Sequence, residues 1–396
     1  MSVIQGKGQL LKSAIVKHLY YKKALSLTDL SKLTHKSVPL VTTMVNQLVL
    51  SQIIIEQGLA PSTGGRRAVK YLLNPNLELY VIAVATDQLI TSFTIYNLSN
   101  QKVTETKYLD FDLNDSANTT EKFADFISAS ISQSGIDPAH ILGIGIGVPG
   151  FVNSKTGESN SYFPVKQGQT LQSFVGEKTK LPVYVENDSS LIALAELYFG
   201  EAKGLKDFLV VNIGWGTGLG MVINGQLYRG SNGYAGEFSH VPLSESNSLC
   251  SCGKRGCLEV ETSLLVMTRK AQEEIEGGAE SIMKEFLKED SMHPTDCFLK
   301  AVVKQDPLAI SVLSKAAFQL GKGLATLIHI LNPNCIILSG RGAKAGKMLF
   351  PAIQQAINEF CIPKIAEQTT IKLSSVGSDA GLLAAASLVV ENSQFE

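Results

Sequence analysis

Cys250-Ser251-Cys252-Gly253-Lys254-Arg255-Gly256-Cys257 is the most informative segment of this sequence. Together with His240, it places three thiols and one imidazole within 18 residues. Such a set matches a four-coordinate Cys3His zinc site, and the glycines allow the tight turns that wrap a short loop around an ion. Four protein ligands leave no open position, so the predicted zinc ion is structural. The alternative is a chance cluster of free thiols. The predicted ligands are His240, Cys250, Cys252 and Cys257.

Two carboxylates flank this predicted metal loop. Glu237 comes three residues before His240, and Glu259 comes two residues after Cys257. A loop fixed by a metal ion would present both carboxylates rigidly to a polyol, whose hydroxyl groups are hydrogen-bond donors. The alternative is that both are solvated surface charges.

Asn187 and Asp188 lie where a predicted strand ends and a helix begins. The amide and the carboxylate can hydrogen-bond adjacent hydroxyl groups there, and the carboxylate can also act as a general base toward one of them. The alternative is a purely local role, as an Asx turn or a helix cap.

From about residue 78 onward, short apolar runs alternate with helical patterns, which is typical of an α/β protein with mixed sheets. One strand leads into the turn Gly214-Trp215-Gly216-Thr217-Gly218, which suits a phosphate, although tight turns need glycine in any case. Strands are predicted over residues 80–85, 92–97, 141–147, 183–185, 208–213, 221–223 and 335–338, and helices over 122–133, 190–199 and 309–332.

The first 75 residues form a separate, basic segment, which we call the head. Residues 1–80 carry a net charge of +7, whereas the remainder carries −8. Helices are predicted over 7–22, after Ser26 or Thr28, and after the N-cap Ser37, followed by strands over 53–56 and 69–73. Three helices and a hairpin indicate a winged helix-turn-helix, and the charge favours nucleic acid. The alternative is a three-helix protein-interaction module.

DNA contacts are predicted from the third helix and from the hairpin tip. The helix turns short polar side chains away from its apolar face, where they can reach base edges and phosphates in the major groove. An arginine in a glycine-rich tip can enter the narrow minor groove. The predicted contacts are Ser37, Pro39, Thr42, Thr43, Asn46, Arg66 and Arg67.

The composition argues against several other classes of protein. The chain has 396 residues, 44% of them hydrophobic, which is enough for two or three domains. No run reaches 18 apolar residues, and no basic-then-apolar leader opens the sequence, so neither a membrane span nor a signal peptide is expected. Six cysteines, three of them crowded together, do not form a secreted disulfide framework. We therefore expect a cytoplasmic protein.

Over nearly the whole chain, these motifs resemble those of the ROK family of sugar-responsive repressors and sugar kinases. Cys250-x-Cys252-Gly253-x-x-Gly256-Cys257-x-Glu259 fits the zinc signature of the family. Residues 233–240 resemble the segment with a sugar-binding Glu and the zinc-ligand His, although Ser239 replaces the usual Gly. Residues 182–188 resemble the segment with the sugar-binding Asn and the Asp that is the base in the kinases. Gly147-Val148-Pro149-Gly150 also fits.

The resemblance implies an α/β architecture, with an N-terminal winged helix-turn-helix and a two-lobed actin/hexokinase-like (ribonuclease H-like) ROK body that has a structural zinc loop and a sugar cleft. The DNA-binding domain would cover residues 1–75 and the sugar-binding body 78–396. Lobe one would span about 78–200 plus 378–396, and lobe two about 201–377. The implied sugar ligands are Asn187, Asp188, Glu237, His240 and Glu259, with His240 using its second ring nitrogen.

One departure from the family pattern bears on activity. Family kinases have Asp-x-Gly-Gly-Thr after the first strand of the body, where it positions the ATP phosphates and magnesium. The register predicts Ala85 at the Asp position, Asp87 and Gln88 at the two glycines, and Leu89 at the Thr. A carboxylate and bulky side chains there oppose triphosphate binding. We therefore expect no catalytic residues, with Asp188 in the vestigial position of the base.

These features predict a sugar-responsive DNA-binding regulator, a repressor of carbohydrate genes. The head followed by Gly64-Gly65-Arg66 resembles the repressor branch, that of the N-acetylglucosamine and xylose operon repressors. Expected partners are a double-stranded DNA operator, a sugar or sugar-phosphate effector and further copies of the chain, as a homodimer or homotetramer, with no membrane partner. One alternative is a ROK sugar kinase, of the glucose or N-acetylglucosamine type, with an attached DNA-binding domain. Another is a constitutive DNA-binding or scaffold protein.

Overall fold

The computed structural model describes residues 3–59, 69–110, 112–113, 118–289 and 292–395. The chain forms two compact units, which divide between Asp188 and Ser189 and again between Ala380 and Gly381. Unit 1 holds the residues up to Asp188 and those from Gly381 onward, and unit 2 holds the residues between them. The domain and lobe limits inferred from the motifs stay predictions. Among the described residues, no helix is both long and apolar enough to cross a membrane.

Unit 1 begins with a helical segment and continues into a mixed sheet. Its elements are α1 (Val3–Lys22), β1 (Ala24–Ser26), α2 (Leu27–Thr34), α3 (Val38–Leu50), β2 (Ile54–Leu59), β3 (Val69–Leu73), β4 (Tyr80–Thr86), β5 (Ile90–Asn97), β6 (Lys107–Asp110), α4 (Thr119–Ser134), β7 (Ile141–Val148), β8 (Val152–Asn153), β9 (Glu158–Ser159), α5 (Leu171–Thr179) and β10 (Val183–Asn187).

Unit 2 is built around a second mixed sheet. Its elements are α6 (Asp188–Tyr198), β11 (Phe208–Ile213), β12 (Thr217–Ile223), β13 (Gln226–Leu227), α7 (Glu259–Thr262), α8 (Leu264–Glu276), α9 (Met283–Phe286), α10 (Pro294–Val303), α11 (Pro307–Leu331), β14 (Cys335–Ser339), α12 (Phe350–Phe360), α13 (Pro363–Ala366) and β15 (Thr370–Leu373). The final helix, α14 (Ala380–Asn392), returns the chain to unit 1.

The head consists of α1, α2 and α3 with a small antiparallel sheet in the order β1-β3-β2. Ser26 caps α2 through a capping box: its hydroxyl accepts the Asp29 backbone N–H, while the Asp29 carboxylate accepts the Ser26 backbone N–H. The left-handed residue His35 ends this helix. The three helices and the strands β2 and β3 follow the order predicted for the head, whereas β1, between α1 and α2, was not predicted.

The head packs against the C-terminal helix, a contact that the sequence did not predict. The Lys17 ammonium donates a hydrogen bond to the Glu391 carbonyl, and the backbone N–H of Phe395 donates to the Ser13 hydroxyl at 3.0 Å. Phe395 is buried. Residues from the two ends of the chain therefore hold the head to the rest of unit 1.

The large sheet of unit 1 has the strand order β10-β7-β4-β5-β6. β7 runs parallel to both β4 and β10, whereas β4, β5 and β6 are antiparallel neighbours. The glycines of β7 allow α14 to lie close to the sheet, because a Cβ atom on Gly145 would come within 1.9 Å of the Ala385 carbonyl oxygen. This arrangement brings the C-terminal ends of β7 and β10 side by side.

The sheet of unit 2 has the order β13-β12-β11-β14-β15, with parallel pairing only among β11, β14 and β15. Both large sheets are mixed, which confirms the predicted α/β class. One prediction was too short: β12 begins at Thr217 rather than at residue 221, because Thr217 already pairs with Ile213. The turn is therefore confined to residues 214–216, where the Gly214 N–H donates to the Gly216 carbonyl at 2.8 Å.

Glu196, near the end of α6, is a buried carboxyl group that should make the stability of the protein depend on pH. Its side chain is fully buried, and its Oε2 accepts the Glu201 N–H at 2.8 Å. Burial raises the pKa of Glu196 above its ordinary value. Because the folded state then holds the proton more tightly than the unfolded state, this group lowers stability as the pH rises from the ordinary glutamate range through the raised pKa.

The Glu196→Gln variant keeps the accepting oxygen but cannot ionise. We expect its melting temperature to depend less on pH than that of the wild type between about pH 4 and pH 8, and to be at least as high near the upper limit. Thermal melts of both proteins across this range test the prediction. A constant loss of stability at every pH would contradict it.

Candidate functional site

The four predicted metal ligands lie together in unit 2. One ligand atom from each of His240, Cys250, Cys252 and Cys257 lies within 4.8 Å of the others. The Cys252 and Cys257 sulfur atoms are 3.6 Å apart, and Cys250 Sγ is 3.6 Å from His240 Nδ1. A tetrahedral ion with Zn–S bonds of about 2.3 Å requires sulfur separations of about 3.8 Å. The donor set and its spacing therefore fit a zinc ion.

The electrostatics of this cluster favour a cation. Burial, followed by the neighbouring thiols of Cys252 and Cys250, raises the pKa of the Cys257 thiol to about 12. Three sulfur atoms this close cannot all ionise unless positive charge offsets their repulsion. A divalent ion bound among them supplies that charge.

The loop that holds the cysteines is shaped by local hydrogen bonds. The Cys250 N–H donates to the Lys254 carbonyl at 2.8 Å, and the Gly253 N–H donates back to the Cys250 carbonyl at 2.9 Å. Gly253 and Gly256 have φ angles of +82° and +75°, which side chains rarely adopt. The two glycines thus allow the tight loop that the sequence predicted.

The two ring nitrogens of His240 face different groups. Nδ1 points toward the cluster, at 3.6 Å from Cys250 Sγ, whereas Nε2 is 3.9 Å from an oxygen of the Glu237 carboxylate. Burial lowers the pKa of His240, which favours the neutral imidazole that binds metal ions. His240 therefore lies between the cluster and one of the predicted sugar-binding carboxylates.

Glu259 is the first residue of α7, directly after the cluster. Its Oε2 accepts the Thr217 backbone N–H at 2.9 Å, so the first residue of β12 supports this carboxylate. Burial raises the pKa of Glu259 to about 7, while hydrogen bonds from Thr217 and Ser239 act in the opposite direction. Sequence reasoning did not predict that Thr217 and Ser239 support Glu259. Thr217 lies 42 positions from Glu259 in the chain, so no local pattern connects the two.

Asn187 and Asp188 lie in unit 1, where β10 ends and α6 begins. The Asn187 amide donates a hydrogen bond to the Gly150 carbonyl at 3.0 Å, which joins two of the motifs that resemble the family. Asp188 is the first residue of α6, so its carboxylate lies in the favourable field of a helix N-terminus. The strand ends two residues later than the predicted limit of 185, and the helix starts two residues earlier than the predicted limit of 190.

The segment at the predicted phosphate-loop position forms the tight connection between β4 and β5. Asp87 Oδ1 accepts the N–H groups of Leu89 and Ile90, at 2.9 and 2.8 Å. The Asp87 N–H donates to the Ile90 carbonyl at 2.9 Å. The backbone N–H groups of Asp87, Leu89 and Ile90 are therefore used within the turn itself.

The predicted DNA contacts on α3 face away from the rest of the head. Ser37, Pro39, Thr43 and Asn46 are exposed, and Thr42 is partly exposed. Ser37 occupies the N-cap position, but its hydroxyl makes no capping hydrogen bond within the described residues. Arg66 and Arg67 lie outside the described residues.

Comparison with known proteins identifies the family. The family model of the ROK family matches residues 89–392. The chain belongs to the ROK family. The predicted Cys3His cluster and the actin/hexokinase-like α/β fold with mixed sheets agree with this membership.

The relatives within the family include a kinase and a repressor. A glucokinase of Halalkalibacterium halodurans is 34% identical over 68% of this chain and 82% of that protein. A xylose repressor of Caldicellulosiruptor bescii is 26% identical over 97% of this chain and 96% of that protein. The crystal structure of a ROK family transcriptional regulator, a homologue of the E. coli MLC protein, covers 97% of this chain and 96% of its own, with 25% identity and a TM-score of 0.78.

Proposed function

We propose that this ROK protein is a sugar-responsive transcriptional repressor. The observation that carries the proposal is the extent of the similarity: the repressor and the regulator match nearly the whole chain, head included, whereas the glucokinase match leaves about a third of it unmatched. The function then lies in binding DNA and a sugar in the cytoplasm, not in chemistry on the sugar.

The head is proposed to be a winged helix-turn-helix that binds an operator. Its three helices and antiparallel β2–β3 pair support this assignment, as does the net charge of +7 over residues 1–80. α3 would lie in the major groove and Arg66 or Arg67 in the minor groove. Two heads in a homodimer, or two pairs in a homotetramer, would read a two-fold DNA site.

Five side chains are proposed as sugar ligands. In unit 2, Glu237, His240 and Glu259 surround one edge of the predicted zinc loop, where Thr217 and Ser239 hydrogen-bond to Glu259. In unit 1, Asn187 and Asp188 supply an amide and a carboxylate. Amides and carboxylates hydrogen-bond sugar hydroxyls.

Zinc is proposed to be structural. His240, Cys250, Cys252 and Cys257 would hold it, and the ion would supply folding energy and a fixed orientation for His240. Phe238 and Ser239, between Glu237 and His240, are buried, so the histidine and its carboxylate neighbour are anchored to the core of unit 2. The metal loop thereby positions sugar ligands without taking part in a reaction.

Loss of phosphoryl transfer is part of the proposal. Three backbone N–H groups of the β4–β5 turn, those of Asp87, Leu89 and Ile90, already donate within the turn, which supports the absence of a phosphate cradle there. The second candidate is a sugar kinase with a DNA-binding head, which the glucokinase similarity favours. Sustained ATP consumption that depends on glucose or N-acetylglucosamine would establish a sugar kinase. It would contradict the proposal of a repressor that has lost phosphoryl transfer.

DNA binding is tested by its dependence on salt. We expect the full chain to enrich specific duplexes from a random library and to bind them roughly a thousandfold more weakly at about 200 mM than at about 50 mM salt, because about six phosphate contacts release counterions. Lys36→Ala in the head should reduce the slope. Lys304→Ala, an exposed lysine of unit 2, should leave it unchanged. Binding that does not respond to salt would contradict the assignment of the head.

A further inference from the structure

The outward face of α3 carries no charge. The helix Val38–Leu50 contains no acidic, basic or histidine side chain. Guanine is most often read by the bidentate contact of an arginine or lysine with its O6 and N7 atoms. A recognition helix without cations lacks the side chains for that contact, so its specificity must come from other groups.

The two threonines of this helix offer methyl groups more readily than hydroxyl hydrogens. The Thr42 hydroxyl donates to the Val38 carbonyl at 2.9 Å, and the Thr43 hydroxyl donates to the Pro39 carbonyl at 3.1 Å. Both hydroxyl hydrogens are therefore used inside the helix. Each threonine can therefore offer a partner only the lone pairs of its hydroxyl oxygen and its methyl group.

Exposed aliphatic side chains lie at the start of the same helix. Leu40 is 44% exposed and Val38 is 42% exposed, whereas the core-facing residues of α3 are buried. Leu40 and Thr43 are three positions apart, so they lie next to each other on the helix surface. An exposed lysine, Lys36, lies just before the helix, so this apolar surface adjoins a cation suited to a DNA backbone.

We propose that Leu40, with the methyl group of Thr43, contacts the C5-methyl groups of thymines in the major groove of the operator. This surface would bind the major-groove edge of consecutive A·T pairs in double-stranded DNA, because thymine is the one base that presents a methyl group in the major groove. Asn46 supplies an amide that matches the N6 and N7 atoms of adenine. The basic head supplies the complementary charge. The inference rests on the proposed DNA-binding function and adds the base composition of its target.

The test removes the methyl groups from the DNA and the side chain from the protein. Duplexes are enriched from a random library with the full wild-type chain. The most enriched half-site is then synthesised with deoxyuridine in place of thymidine. We expect A·T pairs at the centre of the half-site and roughly tenfold weaker binding of the deoxyuridine duplex, which corresponds to about two lost methyl contacts. Deoxyuridine outside the half-site should have no effect.

Leu40→Ala should bind the thymidine duplex roughly tenfold more weakly and should barely distinguish it from the deoxyuridine duplex. Leu50→Ala is the matched control, because Leu50 is 84% exposed at the other end of the same helix. It should keep both affinity and discrimination. Circular dichroism melts of both variants verify that the head is folded.

Three results would overturn the inference while leaving DNA binding intact: a half-site centred on G·C pairs, equal affinity for the two duplexes, or equal losses in the Leu40 and Leu50 variants. Failure to enrich any duplex would overturn the proposed function together with the inference, and would instead favour a protein partner for this surface.

Discussion

Replacing Cys257 by serine is expected to abolish zinc binding and sugar binding while operator binding survives. Cys257 is fully buried, with its sulfur atom 3.6 Å from that of Cys252. A hydroxyl is a far poorer ligand than a thiolate, so three ligands would remain where a structural ion needs four. Without the ion, His240 and the start of α7 lose the metal bonds that fix their orientation. The head lies in unit 1 and does not depend on it.

The measurement is metal content by mass spectrometry, followed by calorimetry with sugar and DNA-binding assays. Wild-type protein should carry one zinc ion per chain and the variant close to none, with sugar affinity reduced at least a hundredfold, which equals about 2.7 kcal/mol. Cys361→Ser, a buried thiol outside the cluster, is the control and should keep its zinc. Cys252→Ser repeats the test within the cluster. Full sugar affinity in a zinc-free variant would contradict the role assigned to the loop.

Asp188→Asn is expected to weaken sugar binding by roughly tenfold to a hundredfold without unfolding the protein. The substitution keeps the size of the side chain but removes its charge, and a hydrogen bond to a charged group contributes about 1.5–3 kcal/mol. Asp188 also lies at the N-terminus of α6, where the loss of a carboxylate costs only about 0.3–1 kcal/mol of stability. The effect on affinity should therefore exceed the effect on stability.

The control for Asp188 is Asp125→Asn, which removes an exposed carboxylate that pairs with Lys178 elsewhere in unit 1. It should leave sugar affinity unchanged, because exposed ion pairs contribute little. Calorimetric titration of both variants against the wild-type ligand gives the comparison. Equal affinities for wild type and Asp188→Asn would show that this residue only caps its helix.

The sequence predicted the parts of this protein that depend on local patterns. The spacing of His240 and the three cysteines was enough to predict a cluster, and the structure brings their ligand atoms together. Ser26 and Thr28 were the two predicted starts of the second helix from their residue types, and Ser26 is the one that caps α2. Hydrophobic periodicity and helix capping depend on residues a few positions apart, so a single sequence is sufficient to recognise them.

Contacts between distant parts of the chain were not predictable in this way. Thr217 supports Glu259 through a backbone N–H, which any residue type can offer, so no side-chain pattern reveals it. The head is held by Glu391 and Phe395, more than 370 positions from their partners. Asp87 was predicted to stand where a phosphate would bind, but its Oδ1 accepts two hydrogen bonds within its own turn. Such roles depend on the tertiary fold.

The central claim is that sugar and operator binding are coupled, and one measurement tests it most directly. Zinc-loaded protein is titrated with the enriched duplex in the presence of glucose, N-acetylglucosamine, mannose, xylose or their phosphates, and then with each sugar in the presence of the duplex. The account predicts that one sugar changes the Kd for DNA at least tenfold, or about 1.4 kcal/mol, and that DNA changes the Kd for that sugar by the same factor. A sugar that binds with the same affinity with and without the duplex would contradict it.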